Sequence, residues 1–147
     1  MSRNPKSLLY VFVQALILIS LFISGEVFPN NPVSWILIGG GLLLGFWSVW
    51  TMRVSTFQIT PDVASGSVLV SNGPYSFIRH PMYGAVLLVV FGLLFNTFSW
   101  LRLIAVGILF VNLILKADYE ENLLVKYFKK GYQDYQQKTS RFIPFVY

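Results

Sequence analysis

The sequence predicts an all-α fold: a polytopic membrane bundle of about four transmembrane helices, with a cytoplasmic amphipathic helix at the C-terminal end. Three observations predict it. The 147 residues are 55% hydrophobic and 12% charged, with a mean hydropathy of +0.63, which is too apolar for an ordinary soluble domain. Long apolar runs recur along the chain, and the basic residues cluster in alternate links between them. The length indicates a single domain over residues 1–147.

Four apolar runs account for the predicted spans, at residues 8–24, 33–52, 81–98 and 101–115. A transmembrane helix needs about 20 apolar residues, with a range of about 17–25, and the first three runs meet this length. The fourth is shorter and carries Arg102 near its start, but it can extend into the helical pattern that follows. No small-residue cleavage site follows the first run, so we predict a retained helix rather than a signal peptide.

The basic residues predict the orientation in the membrane. All but one of the eleven lie before the first run, in the segment 53–79 or in the tail beyond residue 115, and only Arg102 falls in a link on the other side. The positive-inside rule therefore predicts an integral, multi-pass protein with both termini and the 53–79 loop in the cytoplasm. The net charge of +5 reflects this asymmetry, and no basic-aromatic motif indicates a nucleic-acid partner.

The residue inventory excludes several kinds of site. The chain has no cysteine, so disulfides, thiolate metal sites and cysteine nucleophiles are ruled out. His80 is the only histidine, and a single histidine argues against a zinc or haem site. We therefore predict no metal.

Local patterns predict how the helices pack and begin. Gly41 and Gly45 form a small-xxx-small pair in the second run, a spacing that lets another helix approach closely. Pro81 marks the first turn of the third helix, with His80 at about the N-cap. The unpaired N–H groups at that helix start are a ready anion site.

The segment after the fourth run is helical in pattern. Lys116 and Glu120 are four residues apart and share a helical face. Beyond them an apolar stripe at helical spacing predicts a helix along the cytoplasmic membrane surface. The stripe consists of Leu123, Leu124, Tyr127 and Phe128.

Two blocks of residues carry a resemblance to a known family. The first block is Gly73-Pro74-Tyr75 followed by Arg79-His80-Pro81-Met82-Tyr83. The second consists of Glu120-Glu121, Leu123-Leu124, Phe128, Tyr132, Tyr135 and Arg141-Phe142-Ile143-Pro144. In order and spacing they resemble the isoprenylcysteine carboxyl methyltransferase family of integral-membrane methyltransferases, which includes phospholipid methyltransferase relatives. The resemblance covers residues 67–144, the motif-bearing core.

The resemblance implies that S-adenosyl-L-methionine is the cofactor and that the loop before Arg79 passes along it. A basic residue implicated in substrate binding falls on Lys116, the catalytic residue that we predict. The family usually has arginine there, and lysine keeps the charge but loses the bidentate fork that suits a carboxylate. A family glycine is Lys129 here, which we expect to affect a helix end. The implied cofactor-binding residues are Ser67, Val68, Leu69, Val70, Tyr75, His80, Pro81, Met82, Tyr83 and Glu120.

The predicted function is methyl transfer to a lipid or other lipophilic acceptor, prenylated or not, at a carboxylate or another anionic head group. An anionic acceptor needs no general base, and alignment alone can lower a barrier by up to about 7–11 kcal/mol. Two alternatives stay open. One is an NADPH-dependent membrane reductase of the sterol-reductase-like type, and the other is a non-catalytic lipid-binding membrane protein.

Several site residues also have a structural interpretation. His80 could merely cap its helix, and Tyr75 and Tyr83 could be interfacial belt aromatics; for these three we favour cofactor binding. Arg79 fits a membrane-surface anchor and a site role equally well. For Arg141 we favour an anchor, with a clasp between tail and loop as the alternative.

Overall fold

Helices dominate the structure, a computed structural model that describes residues 5–26, 28–53 and 68–143. The helical elements of these residues are α1 (Pro5–Ile23), α2 (Pro32–Arg53), a 3₁₀ turn (Gly73–Ser76), α3 (Pro81–Asn96), α4 (Trp100–Phe128) and α5 (Lys130–Lys138). The predicted all-α membrane bundle is confirmed.

Three of these helices are long and apolar enough to cross a membrane: α1, α2 and α4. Helix α3 has 16 residues, about 24 Å of helix against a hydrocarbon core of about 30 Å. The run 81–98 was predicted to be a full span, but the helix ends at Asn96 because Thr97 is extended. Three helices therefore reach spanning length where about four were expected, and α3 is a shorter apolar helix packed among them.

Helices α2 and α3 pack closely at glycines. A Cβ atom on Gly41 would lie 2.8 Å from the Ala85 carbonyl oxygen, and one on Gly92 would lie 3.1 Å from the Ile38 backbone nitrogen. Gly41 thus makes the close approach that the sequence predicted, whereas a Cβ on Gly45 would make only ordinary contact. Since lipid tails are as apolar as the helix surfaces, such van der Waals fit is a main source of association in a membrane.

The apolar core lies between α1, α3 and α4. Its most buried residues are Leu21, Leu87, Val90, Leu93, Leu94, Val106, Leu109 and Leu113. At one end of this core the guanidinium of Arg102 donates to the Leu93 carbonyl at 2.9 Å, and Asn96 donates to the Phe28 carbonyl at 3.0 Å. Asn96 thereby joins the end of α3 to the α1–α2 link, as Arg102 does through Ser24 Oγ at 3.4 Å. Both side chains satisfy main-chain oxygens that would otherwise face an apolar medium.

The C-terminal helices differ from the expected arrangement. The stripe from Leu123 to Phe128 was predicted to form a surface helix, but it continues α4, which is one helix of 29 residues. The amphipathic helix is α5, whose buried face is Tyr132 and Tyr135. The break falls at Lys129, with φ 51° and ψ −124°. A side chain at this position is strained, because only glycine adopts that backbone conformation freely.

We predict that Gly41→Ala destabilises the protein by about 1–3 kcal/mol, because the added methyl group would collide with the backbone of α3. Gly39→Ala is the matched control on the same helix, since a Cβ there would meet nothing within 4 Å. Unfolding in mixed micelles measures both. Equal stability of the two variants would mean that α2 and α3 do not depend on this close approach.

We predict that Lys129→Gly stabilises the protein by about 1 kcal/mol, because glycine relieves the backbone strain between α4 and α5. Lys129→Ala removes the same charge but keeps a Cβ, so its stability should stay within about 0.5 kcal/mol of the parent. Thermal unfolding in detergent compares the three proteins. A gain shared by both variants would trace the effect to the charge instead.

Candidate functional site

The tail after α5 runs back beside the segment that precedes α3. Ile78 and Ser140 form an isolated parallel bridge. The Arg79 amide donates to the Ser140 carbonyl at 2.8 Å, and the His80 amide donates to the Arg141 carbonyl at 3.1 Å. The two sequence blocks are therefore joined through their main chains.

The carboxylate of Glu121 on α4 is the centre of this junction. Its Oε1 accepts from Arg79 Nε at 2.9 Å, from His80 Nε2 at 3.0 Å and from Arg141 Nε at 3.2 Å. Its Oε2 accepts from Gln136 Nε2 at 2.9 Å. Because a carboxylate only accepts hydrogen bonds, the His80 proton that faces it lies on Nε2. One buried acid thus binds donors from the loop, α5 and the tail.

The two arginines are clasps rather than surface anchors. Arg79 also donates through Nη1 to the carbonyls of Gln136, at 3.0 Å, and of Thr139. Arg141 pairs with Glu121 and with Asp118 on α4. The anchor that the sequence favoured for Arg141 is wrong, because its guanidinium turns inward to two carboxylates of α4. The alternative of a clasp between tail and loop is the observed one.

His80 lies at the N-cap of α3, as predicted, but its side chain makes no capping hydrogen bond. The ring instead bridges the two adjacent glutamates, with Nδ1 3.7 Å from Glu120 Oε2 and Nε2 on Glu121. It also stacks on Tyr83, with ring centroids 5.1 Å apart and planes 4° from parallel. Helix capping therefore does not account for this side chain.

Glu120 and Lys116 share one face of α4, as predicted, but each has a partner on another helix. The Tyr83 hydroxyl donates to Glu120 Oε2 at 2.7 Å. Lys116 is buried, and its Nζ donates to Gln14 Oε1 on α1 at 3.0 Å. The ammonium also lies over the Tyr83 ring, 4.9 Å from the centroid. Tyr83 thus touches both residues, which makes a polar row within the apolar bundle.

Tyr75 is buried beneath α5 rather than displayed at an interface. Its carbonyl accepts the Tyr135 hydroxyl at 2.6 Å. Burial raises the pKa of Tyr135 to about 12 and raises the pKa values of Tyr75 and Tyr132 further. The Tyr135 hydroxyl is therefore protonated near neutral pH and can donate this bond.

The remaining predicted cofactor residues are residues 67–70, Pro81 and Met82. Ser67 is outside the described residues, as is Pro144 of the second block. Val68, Leu69 and Val70 are irregular, and their N–H groups have no hydrogen bond to another described residue. Pro81 is buried and Met82 half-buried at the start of α3.

The predicted anion site at the start of α3 is smaller than expected. The His80 amide donates to the Arg141 carbonyl in the tail, and the amides of Tyr83 and Gly84 donate to the His80 carbonyl. Pro81 has no N–H to offer. Among the described residues of that turn, only Met82 keeps an unpaired amide.

Sequence reasoning missed three residues of the cluster. Glu121 was identified only as part of the second block and was given no role, whereas its neighbour Glu120 was predicted to bind the cofactor. Gln136 and Gln14 lie in a polar helix and in an apolar helix respectively. A lone glutamine within a transmembrane run was a usable signal for Gln14, because polar side chains at membrane depth face the bundle interior.

A family comparison assigns the chain to a family. The profile of the family described as phospholipid methyltransferase matches residues 31–131, more than two-thirds of the chain. The chain belongs to this family. Phospholipid methyltransferases and the isoprenylcysteine carboxyl methyltransferases are related integral-membrane methyltransferases, so the predicted resemblance is confirmed. A comparison with curated proteins finds no significant match.

Family membership and the apolar helices together identify an integral-membrane methyltransferase. The phospholipid methyltransferase match gives no support to the reductase or the non-catalytic alternative. The matched segment contains α2, α3 and α4, and hence Lys116, Glu120 and Glu121. Helix α1, most of α5 and the tail lie outside it.

We predict that Glu121→Gln destabilises the protein by about 3–5 kcal/mol, because it removes the carboxylate that pairs with the half-buried Arg79 and one of the two that pair with Arg141. Asp118→Asn is the matched control one helical turn away. Its side chain is 48% exposed, so losing its pair with Arg141 should cost about 1 kcal/mol or less. Unfolding in mixed micelles compares them, and similar losses for both would contradict the central role of Glu121.

Proposed function

We propose that the protein transfers a methyl group from S-adenosyl-L-methionine to a lipophilic acceptor with an anionic head group, such as a lipid or a prenylated compound. The observation that carries the proposal is the polar row of His80, Glu120, Tyr83 and Lys116 inside an apolar bundle. Polar groups in such an environment mark a site more often than they serve packing. Membership of a membrane methyltransferase family gives that site a reaction class.

The chemistry of the donor groups fits this cofactor. When bound, S-adenosyl-L-methionine supplies a methyl group that its sulfonium charge already activates. Glu120 Oε1 has no partner among the described residues, so it can accept from an amino group or ribose hydroxyls. The main chain of Val68–Val70, which has no hydrogen bond to another described residue, can take the polar edge of a base. The rings of His80, Tyr83 and Phe142, which contact one another, form an aromatic wall next to Glu120.

Lys116 is the group that would hold the acceptor. Its buried ammonium lies on the same face of α4 as Glu120, one turn away, which would bring the acceptor beside the methyl donor. An anionic oxygen attacks without losing a proton, so the residues need only bind, align and exclude water. His80 then serves to orient Glu120 and the loop rather than as a base.

The orientation proposed with this function puts both termini and the loop on the cytoplasmic side. It requires α3 to run from that side to the opposite one despite its length. The hydrogen bond from Asn96 to the Phe28 carbonyl supports this, because it joins the end of α3 to the α1–α2 link. The distribution of basic residues supports the orientation, because all but Arg102 lie before α1, in the segment 53–79 or beyond residue 115, and lysine and arginine favour cytoplasmic links. A soluble cofactor would reach the loop from the cytoplasm, and a lipid acceptor would enter from the bilayer between helices.

We predict that Glu120→Gln raises the Kd for S-adenosylhomocysteine at least tenfold, because a charge-assisted hydrogen bond is lost. The side chain keeps its size and can still accept from Tyr83, so thermal stability should change little. Glu26→Gln, at the opposite end of the bundle, is the control and should bind normally. Calorimetric titration of purified protein gives the values.

Three results would contradict the proposal. The absence of binding by the intact protein would remove the cofactor assignment. Tighter binding of NADPH than of S-adenosylhomocysteine would favour the reductase. Cofactor binding without transfer to any membrane lipid or prenylated carboxylate, in an isotope-labelling screen, would favour a non-catalytic protein.

A further inference from the structure

Helix α1 brings one amide side chain to the level of Lys116. Gln14 is the middle residue of α1, and its Oε1 accepts from Lys116 Nζ at 3.0 Å. An ammonium has only donors, so the amide oxygen must be the atom that faces it. The amide nitrogen then points away from Lys116, and it has no hydrogen-bond partner among the described residues.

Lys116 keeps donor capacity of its own. Of the three N–H groups of its ammonium, one donates a hydrogen bond to Gln14, and the ammonium lies over the Tyr83 ring. No carboxylate of a described residue lies within salt-bridge distance of Nζ. Glu120 attracts it from one turn away, but Glu120 Oε2 already accepts from Tyr83. The residue is only 4% exposed, and a buried ammonium with neutral partners favours an anion beside it.

We propose that Gln14 and Lys116 together bind the anionic head group of the acceptor, and that Gln14 is the residue that selects it. This inference rests on the proposed function and deepens it. A carboxylate or phosphate offers at least two oxygens, whereas an ammonium is a point donor without a fork. The Gln14 amide nitrogen supplies the second donor, so the pair recognises two oxygens where lysine alone would bind one.

The location of Gln14 gives the inference a further consequence. Lys116 lies within the segment that matches the family, residues 31–131, and Gln14 lies outside it. Selection of the head group thus depends on α1, while α3 and α4 carry the cofactor residues. The ligand class is an oxygen anion on an apolar chain, either a free carboxylate or a phosphate.

The test uses the full-length protein in nanodiscs of zwitterionic lipid, without cofactor. Diazirine-bearing alkyl carboxylate, alkyl phosphate and the carboxylate methyl ester are the probes, and mass spectrometry measures labelling of α1 and α4 peptides. Gln14→Leu should raise the half-saturating concentration of the anionic probes about tenfold, the loss of one hydrogen bond to a charged group. The uncharged ester should label both proteins equally.

The Gln14→Glu variant separates recognition from support. Its carboxylate would pair with Lys116 and repel an anionic head group, so labelling by the anionic probes should fall below that of Gln14→Leu. A carboxylate is the stronger acceptor, so Gln14→Glu should keep the support that position 14 gives Lys116 while it loses the anionic probes, and its thermal unfolding should stay close to that of the parent. Wild-type labelling of Gln14→Glu, or an equal effect on the ester, would overturn the inference.

Asn112→Leu is the control for packing. Asn112 donates to the Tyr10 carbonyl at 3.2 Å, so it also joins α4 to α1, and its side chain makes no hydrogen bond to Lys116 or Gln14. Its loss should not change discrimination between acid and ester. Stronger labelling by carboxylate or by phosphate tells which oxygen anion the site prefers, and either supports the inference. Cofactor affinity measured on the same samples keeps the proposed function separate, because its failure would leave the probe result intact.

Discussion

The carboxylate of Glu121 is the interaction on which the polar end of the molecule depends. Its two oxygens accept donors from the loop, from α5 and from the tail, and all of these are anchored to one turn of α4. Taking charges out of water is costly, and the cost is offset only where the geometry satisfies nearly every donor. The arrangement therefore has little freedom, and the loop, the tail and α5 are fixed together rather than one by one.

The position of the neighbouring Glu120 depends on this constraint. Glu121 holds His80, the His80 ring stacks on Tyr83, and the Tyr83 hydroxyl donates to Glu120. Two adjacent glutamates on one helix thus have different surroundings, since Glu121 closes a structural network and Glu120 Oε1 has no partner among the residues that the structure describes. The proposed site gains its pre-organisation from the structural acid, as rigid supporting contacts are what hold reacting groups in alignment.

Much of this could be predicted from the sequence, because its causes are local. The apolar runs, the start of α3 at Pro81, the close approach at Gly41 and the helical spacing of Lys116 and Glu120 each follow from residue type and periodicity over one or two turns. The wrong predictions concerned where α3 and α4 end, which short-range sequence patterns do not specify. Helix α3 stops at Asn96, short of a full span, and α4 continues through the stripe that resembled a separate surface helix. In both cases side-chain type alone does not fix where a helix stops.

The sequence by itself determined a helical membrane protein and the two blocks of residues that form its polar end, and their resemblance to a methyltransferase family made methyl transfer the predicted function. Only the tertiary structure decided which side chains meet: Arg141 with Glu121, Tyr75 beneath Tyr135, and Gln14 with Lys116, whose positions differ by 102 in the chain. The physical reason is that a buried charge takes its partner from whichever element packs against it. Helix packing sets that choice, and no spacing within one helix can specify it.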